Sequence, residues 1–205
     1  MGRSDNLRRS GWSREPLARY LIVCEGAITE KSYFSDLRHL ERIPIEMKII
    51  AGAVPKTLVE IAVKEKKDAE RSAKRKDNGF VKYDEVWVVF DVDTHPSIAE
   101  AKQQAAANGV HIAISNPCFE LWAVLHFRDQ NAHLDTAAMR RLCGECIPGY
   151  GKRLPCSDLM KQVEQAIARA EKLRSWHESR GTPGANPSTN VDELVGSIRQ
   201  QRAPR

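Results

Sequence analysis

Val86-Trp87-Val88-Val89-Phe90-Asp91-Val92-Asp93 is the stretch that decides how this chain is built. Five apolar residues, rich in β-branched and aromatic side chains, run without alternation into two carboxylates. That is the pattern of a strand buried on both faces. Tyr20-Leu21-Ile22-Val23-Cys24 has the same form and ends in Glu25-Gly26. In an open parallel sheet the carboxyl ends of the strands share one edge, and ligands bind there. Two such strands in one sheet bring Glu25, Asp91 and Asp93 together, although more than sixty residues separate them in sequence. Asp91 and Asp93, at i and i+2, project to the same face of an extended chain. Three carboxylates at one edge suit a hard divalent cation, Mg2+ or Mn2+, which takes oxygen ligands. The competing reading is that these acids cap helices or pair with basic clusters elsewhere in the chain.

Outward from the two runs, strands and helices alternate. Strand one (about 19–24) leads to a helix over 29–41, where Tyr33, Phe34, Leu37 and Leu40 recur at helical spacing and Thr29 is placed to cap. A strand over 45–51 and a helix over 55–76, with Leu58, Ile61, Ala62 and Ala69 as its inner stripe, come next. Asp77-Asn78-Gly79 turns the chain into strand three (85–90). An alanine-rich helix over 98–107 closes at Asn108-Gly109, and strand four covers 110–115. Asn116 and Pro117 are placed as cap and first position of the next helix, with Phe119, Leu121, Trp122, Leu125 and His126 inward. Beyond Phe127 the pattern is helical over 133–142 and 157–176. A Gly/Pro/Ser/Asn linker over 180–189 precedes a last amphipathic helix through Val191, Leu194, Val195 and Ile198. The expected architecture is therefore α/β: a Toprim- or Rossmann-like, mostly parallel four-stranded sheet flanked by helices. Residues 1–17 read as a flexible basic N-terminus, 18–127 as the sheet unit and 128–205 as a helical extension packed on it.

Composition narrows the function class. The chain has 205 residues, 41% hydrophobic and 29% charged, enough for a sizeable core in a soluble protein. No apolar run approaches the roughly 20 residues of a membrane span, so a membrane partner is not expected. The N-terminus lacks the apolar run of a secretory signal. Five cysteines cannot all pair within the chain, which points to a reduced, cytoplasmic protein. The formal net charge of +5 is modest, but its distribution is uneven. Lys64, Lys66, Lys67, Arg71, Lys74, Arg75 and Lys76 stand against Glu65, Asp68 and Glu70, and Arg3, Arg8, Arg9, Arg14 and Arg19 against Asp5 and Glu15. Two readings stand: a polyanion partner, nucleic acid above all, or a solvated helix face with interspersed charges.

Smaller motifs add detail. Gly26 allows the backbone to turn and approach a phosphate without a Cβ clash. Glu120, near a helix start after strand four, is either a fourth acid behind the metal ligands or a residue favoured there by the helix dipole. His95 follows the D-x-D and is placed either for phosphate or for a structural bond. His126 is read as a packed histidine. Lys31, one turn into its helix, faces phosphate or solvent. Cys143-Gly144-Glu145-Cys146 is half of a zinc pattern without its second pair, so zinc is not expected. Gly149-Tyr150-Gly151-Lys152 lacks the P-loop spacing, and no G-x-S-x-G elbow or H-E-x-x-H occurs.

Leu21-Ile22-Val23-Cys24-Glu25-Gly26, Thr29-Glu30-Lys31-Ser32-Tyr33-Phe34, Phe90-Asp91-Val92-Asp93, Ser115-Asn116-Pro117-Cys118-Phe119-Glu120-Leu121-Trp122 through His126-Phe127, and Asn186-Pro187-Ser188-Thr189-Asn190-Val191 together resemble the RloB family. The resemblance spans nearly the whole chain. It implies a fold similar to the Toprim fold of topoisomerases, primases and OLD-family nucleases, near restriction-modification and phage-resistance genes. It also implies Mg2+ held by Glu25, Asp91 and Asp93 for phosphodiester chemistry; Gly26, His95, Asn116 and Glu120 are expected around them from their own positions in the sequence. No companion ATPase, helicase or DNA-gate domain accompanies those residues here. The expected function is a metal-dependent nucleic-acid phosphodiesterase of a defence system. Arg8, Arg9, Lys31, Lys67, Arg71, Lys74 and Arg75 would contact the nucleic acid, and a protein from the same defence locus would be a further partner. The alternative is a non-catalytic module that binds nucleic acid, a nucleotide or a partner.

Overall fold

The computed structural model describes residues 17–92 and 98–201. Its framework is a five-stranded sheet in the order β2-β1-β3-β4-β5. The strands are β1 (Tyr20–Cys24), β2 (Ile45–Ile49), β3 (Glu85–Asp91), β4 (His111–Asn116) and β5 (Ser188–Thr189). The first four are parallel, with Tyr20 opposite both Ile45 and Glu85, and Trp87 opposite His111. The fifth is antiparallel and only two residues long, pairing Ser115 with Thr189 and Asn116 with Ser188. Sequence reading expected the four parallel strands and took the β5 segment for linker. Ser188 and Thr189 carry no apolar alternation to signal a strand. They are held by Asn190, whose Oδ1 accepts from Ile114 N at 2.7 Å and whose Nδ2 donates to the Ile112 carbonyl at 2.9 Å.

Both apolar runs are central strands, which is why they lack polar alternation. Tyr20, Ile22 and Cys24 of β1 and Trp87 and Val89 of β3 face one core layer, and Leu21, Val23, Val86, Val88 and Phe90 face the other. The second layer is closed by α2 (Pro55–Lys76), through Leu58, Val59, Ala62 and Val63, and by α3 (Ile98–Ala107), through Ala101 and Ala105. The first layer is closed by α1 (Thr29–Glu41) with Tyr33, Phe34 and Leu37, and by α4 (Glu120–Leu125), buried along its whole length. The helices α5 (Thr136–Cys146), α6 (Cys156–Leu159), α7 (Val163–Ser179) and α8 (Val191–Gln200) complete that layer. Each fully buried side chain of Val, Leu or Phe size contributes roughly 1.5–3 kcal/mol. Phe34→Ala would therefore be among the costliest single changes, because Phe34 has no exposed surface and packs edge-on against Tyr33 and Phe119.

Several local expectations change. Thr29 opens α1 but does not cap it; Ile28 holds that position, without a side-chain hydrogen bond. The helix after β4 starts at Glu120 rather than at Pro117, and Asn116 still belongs to β4. The helix expected over 157–176 is broken into α6, a 3-10 turn over Met160–Gln162, and α7. The expected linker is tied down: Asn186 bonds both the N–H and the carbonyl of Leu134, and the buried His177 Nε2 lies 2.8 Å from the Pro187 carbonyl oxygen. The Asp77 turn and the Gly109 closure form as expected, with φ of 46° and 59°.

Candidate functional site

The carboxyl ends of β1 and β3, the turn after β2 and the start of α4 open on one cleft of about 310 Å3. Glu25 follows β1 directly, and its N–H reaches the Val89 carbonyl of β3 at 3.4 Å. Asp91 ends β3 two residues later, opposite Ser115 of β4. Glu120 enters from the first turn of α4, and Glu30 from the first turn of α1. Glu25, Glu30, Asp91 and Glu120 all line the cleft, with Gly26, Phe119 and Gly52. Two cations join them from the C-terminal third of the chain, Arg140 of α5 and Lys152 of the loop beyond it.

Each carboxylate has its own environment. Glu120 is 2% exposed, accepts a 2.6 Å hydrogen bond from Tyr150 Oη and lies 3.4 Å from Arg140 Nε. Burial opposes its ionisation, but hydrogen bonds from Tyr150, Cys118 and its own backbone, with the Arg140 charge, hold the carboxyl below its ordinary range. Glu30 is shifted the other way. Burial pushes its carboxyl up, against its own backbone N–H, and the charges of Glu120 and Glu25 add to the rise. Arg140 feels Asp91 as well as Glu120, so one guanidinium serves a strand end and a helix start.

Gly26 is explained by Glu30. Its backbone is not in the left-handed region, so no turn demands glycine there. A β-carbon at position 26 would instead lie 1.6 Å from Glu30 Oε2. The glycine makes room for a carboxylate, a reason different from the backbone turn expected of it.

Among the other expected residues, Asn116 lies at the end of β4 but donates to the Gly184 carbonyl at 3.0 Å. Lys31 is exposed on α1 and does not line the cleft. Lys67 and Arg71 line a separate groove between α2 and α3, and Lys74 and Arg75 continue the same exposed helix. Asp93, His95, Arg8 and Arg9 lie outside the described residues. Sequence reading missed Glu30, Arg140, Tyr150 and Lys152. Only Glu30 carried a signal, its place in the first turn of the helix that follows β1.

Among the described residues no three His, Cys, Asp or Glu side chains are gathered as a closed ligand set. The oxygen-only donors of the cleft nonetheless match a hard cation in chemistry. Cys143 and Cys146 are free thiols, and burial pushes Cys143 up to about 12. His126 is fully buried and gives Nδ1 to the Trp122 carbonyl at 2.8 Å, as a packed histidine would. No helix among the described residues is long and apolar enough to cross a membrane.

A mostly parallel α/β sheet with acidic residues at the ends of its first and third strands is an architecture consistent with the Toprim-like class. The chain belongs to the RloB-like protein family, which matches residues 20–198. No curated protein and no solved structure matches it.

Proposed function

We propose that this protein is a metal-dependent nucleic-acid phosphodiesterase, a Toprim-like nuclease acting in phage defence or beside a restriction-modification system. The observation that carries the reading is the cleft itself. Four carboxylates from two strand ends and two helix starts meet two cations in a space of about 310 Å3. Carboxylates alone would repel a phosphodiester, and cations alone would hold it without a place for a metal. The mixture suits a metal and a phosphate side by side.

Glu25, Asp91 and Asp93 would hold Mg2+ or Mn2+. Such an ion, when bound, polarises a phosphoryl oxygen and lowers the pKa of its water. The protein's own groups do the rest. Arg140 and Lys152 offset charge on the phosphate. Glu25 either completes that metal site or accepts and returns the proton of attacking water or leaving oxygen. Glu120, fixed by Tyr150 and Arg140, keeps a permanent negative charge at the base of α4. The exposed cations Lys67, Arg71, Lys74 and Arg75 would track the nucleic-acid backbone without reading its sequence. Assignment to defence, and a partner protein from the same locus, rest on family membership.

The test is cleavage of labelled single- and double-stranded DNA and RNA with Mg2+, Mn2+ or EDTA. Wild type is compared with Asp91→Asn and Glu25→Gln, each checked for fold by circular dichroism. Metal-dependent cleavage lost in both variants supports the reading, and equal background from all three proteins removes it. One observation favours the second reading, a non-catalytic binding module: the α2 groove is separate from the acidic cleft. Binding that survives Asp91→Asn without any cleavage would select it.

A further inference from the structure

Phe80 is the most exposed large apolar side chain among the described residues, at 68%, ahead of Ile28 at 52%. It stands in a 3-10 turn, Gly79–Val81, that packs back on the end of α2. Exposure of this kind is common in a loose loop, but this turn is clamped from three sides. The α2 helix stops at Asp77 in the left-handed conformation, with the Asn78 N–H on the Ala73 carbonyl. Asn78 Oδ1 then accepts from Phe80 N at 3.0 Å. The Arg19 guanidinium donates to the carbonyls of Phe80 (3.0 Å) and Val81, and lies 4.9 Å over the Tyr83 ring. The backbone is thus fixed while the ring is left in water.

The surroundings are cationic. Lys74, Lys76 and Lys82 are exposed, and none has an ion pair among the described residues. Arg75 makes only a 3.4 Å contact to Ser72 Oγ. Asp77 and Asp84 are exposed acids at the same tip, but Asp84 accepts from Arg19 N at 2.8 Å, and exposed Glu46 is taken up by Arg19 and Tyr83. A rigid aromatic face among unpaired cations is the chemistry that single-stranded nucleic acid recognises, through base stacking and phosphate neutralisation. Duplex bases are already stacked and offer the ring nothing.

We propose that Phe80, with Lys74, Lys76 and Lys82, forms a stacking platform for single-stranded nucleic acid. It lies at the end of the sheet opposite the acidic cleft. The seven residues of β3 run from one end to the other, on the order of 20 Å. The platform therefore holds the strand at a distance from any bond cut in the cleft. This inference shares with the proposed function its ligand class, nucleic acid, but does not need catalysis.

The experiment is fluorescence anisotropy with labelled single-stranded and duplex oligonucleotides, using the full chain in EDTA. Phe80→Ala is expected to weaken single-strand binding roughly 5- to 150-fold while leaving duplex binding as it was. Phe80→Tyr should bind like wild type, and Phe80→Leu like Phe80→Ala. Lys74→Ala/Lys76→Ala should weaken both ligands and flatten the salt dependence. Equal single-strand affinity for wild type and Phe80→Ala overturns the proposal. So does full affinity for Phe80→Leu, which would mark an apolar contact with a protein. No single-strand binding by wild type overturns it as well. Parallel cleavage assays with Mg2+ separate the two readings: Phe80-dependent binding without cleavage keeps the platform and sinks the nuclease.

Discussion

A β-carbon at position 26 would meet the far end of the Glu30 side chain at 1.6 Å, and that end can swing away. Gly26→Ala is therefore expected to fold with a loss of at most about 1 kcal/mol, and to cut cleavage far more than stability. In a Glu30→Ala background the same substitution should cost nothing further, a coupling that denaturation of the double-mutant cycle would measure. His126 gives a different readout at this scale. Burial, with the Arg169 charge, lowers its pKa from 6.5 to about 4, although its own hydrogen bonds oppose the shift. The unfolded chain takes up a proton near pH 6.5 and the folded chain only near pH 4. Stability is thus complete above about 6.5 and declines as pH falls toward 4, by about 3 kcal/mol at full development. His126→Phe should flatten that slope in urea titrations between pH 7 and 4.5, and an unchanged slope would rule the residue out as its source.

Between elements, the bond that ties α7, α8 and β5 together is the Arg174–Asp192 pair. Arg174 is bidentate to Asp192 at 2.5 and 2.8 Å and also reaches the Thr189 carbonyl at 3.0 Å. Asp192 is 3% exposed, so Arg174→Ala strands a buried charge and should cost about 3 kcal/mol. Arg174→Ala/Asp192→Leu should recover much of that loss, measured by chemical denaturation. This corner of the fold was the least legible in the sequence, because nothing in Ser188-Thr189 or in the Gly/Pro segment before it shows which side chains will grip it. The sheet centre was legible because both runs are buried on both faces and end in acids. The bounds of α1, α2 and α3 followed from the Asp77 and Gly109 closures and from the spacing of Tyr33, Phe34 and Leu37. The cleft divided along the same line. Glu25, Asp91 and Glu120 were visible as residues at strand ends, whereas Arg140, Tyr150 and Lys152 are delivered by helix packing from the far part of the chain, which no local pattern records.

Across the whole molecule, acidic and basic surfaces occupy opposite ends of the sheet. In EDTA the cleft repels phosphate, so Glu25→Gln/Asp91→Asn should bind an oligonucleotide at least as tightly as wild type while losing cleavage. Tighter binding by the wild type in EDTA would show that the cleft holds nucleic acid by some means other than a metal. The first core layer joins Tyr20 and Ile22 to Leu194, Val195 and Ile198 in one buried cluster. Ribosomes add about 5–20 residues each second, so the 176 residues between Ile22 and Ile198 take on the order of ten to thirty seconds to appear. For most of that interval β1 and α1 are made but α8 is not. Until α8 is made, the apolar face that Tyr20 and Ile22 share with Leu194, Val195 and Ile198 stays open to water, so truncation before Val191 is expected to lower the soluble yield.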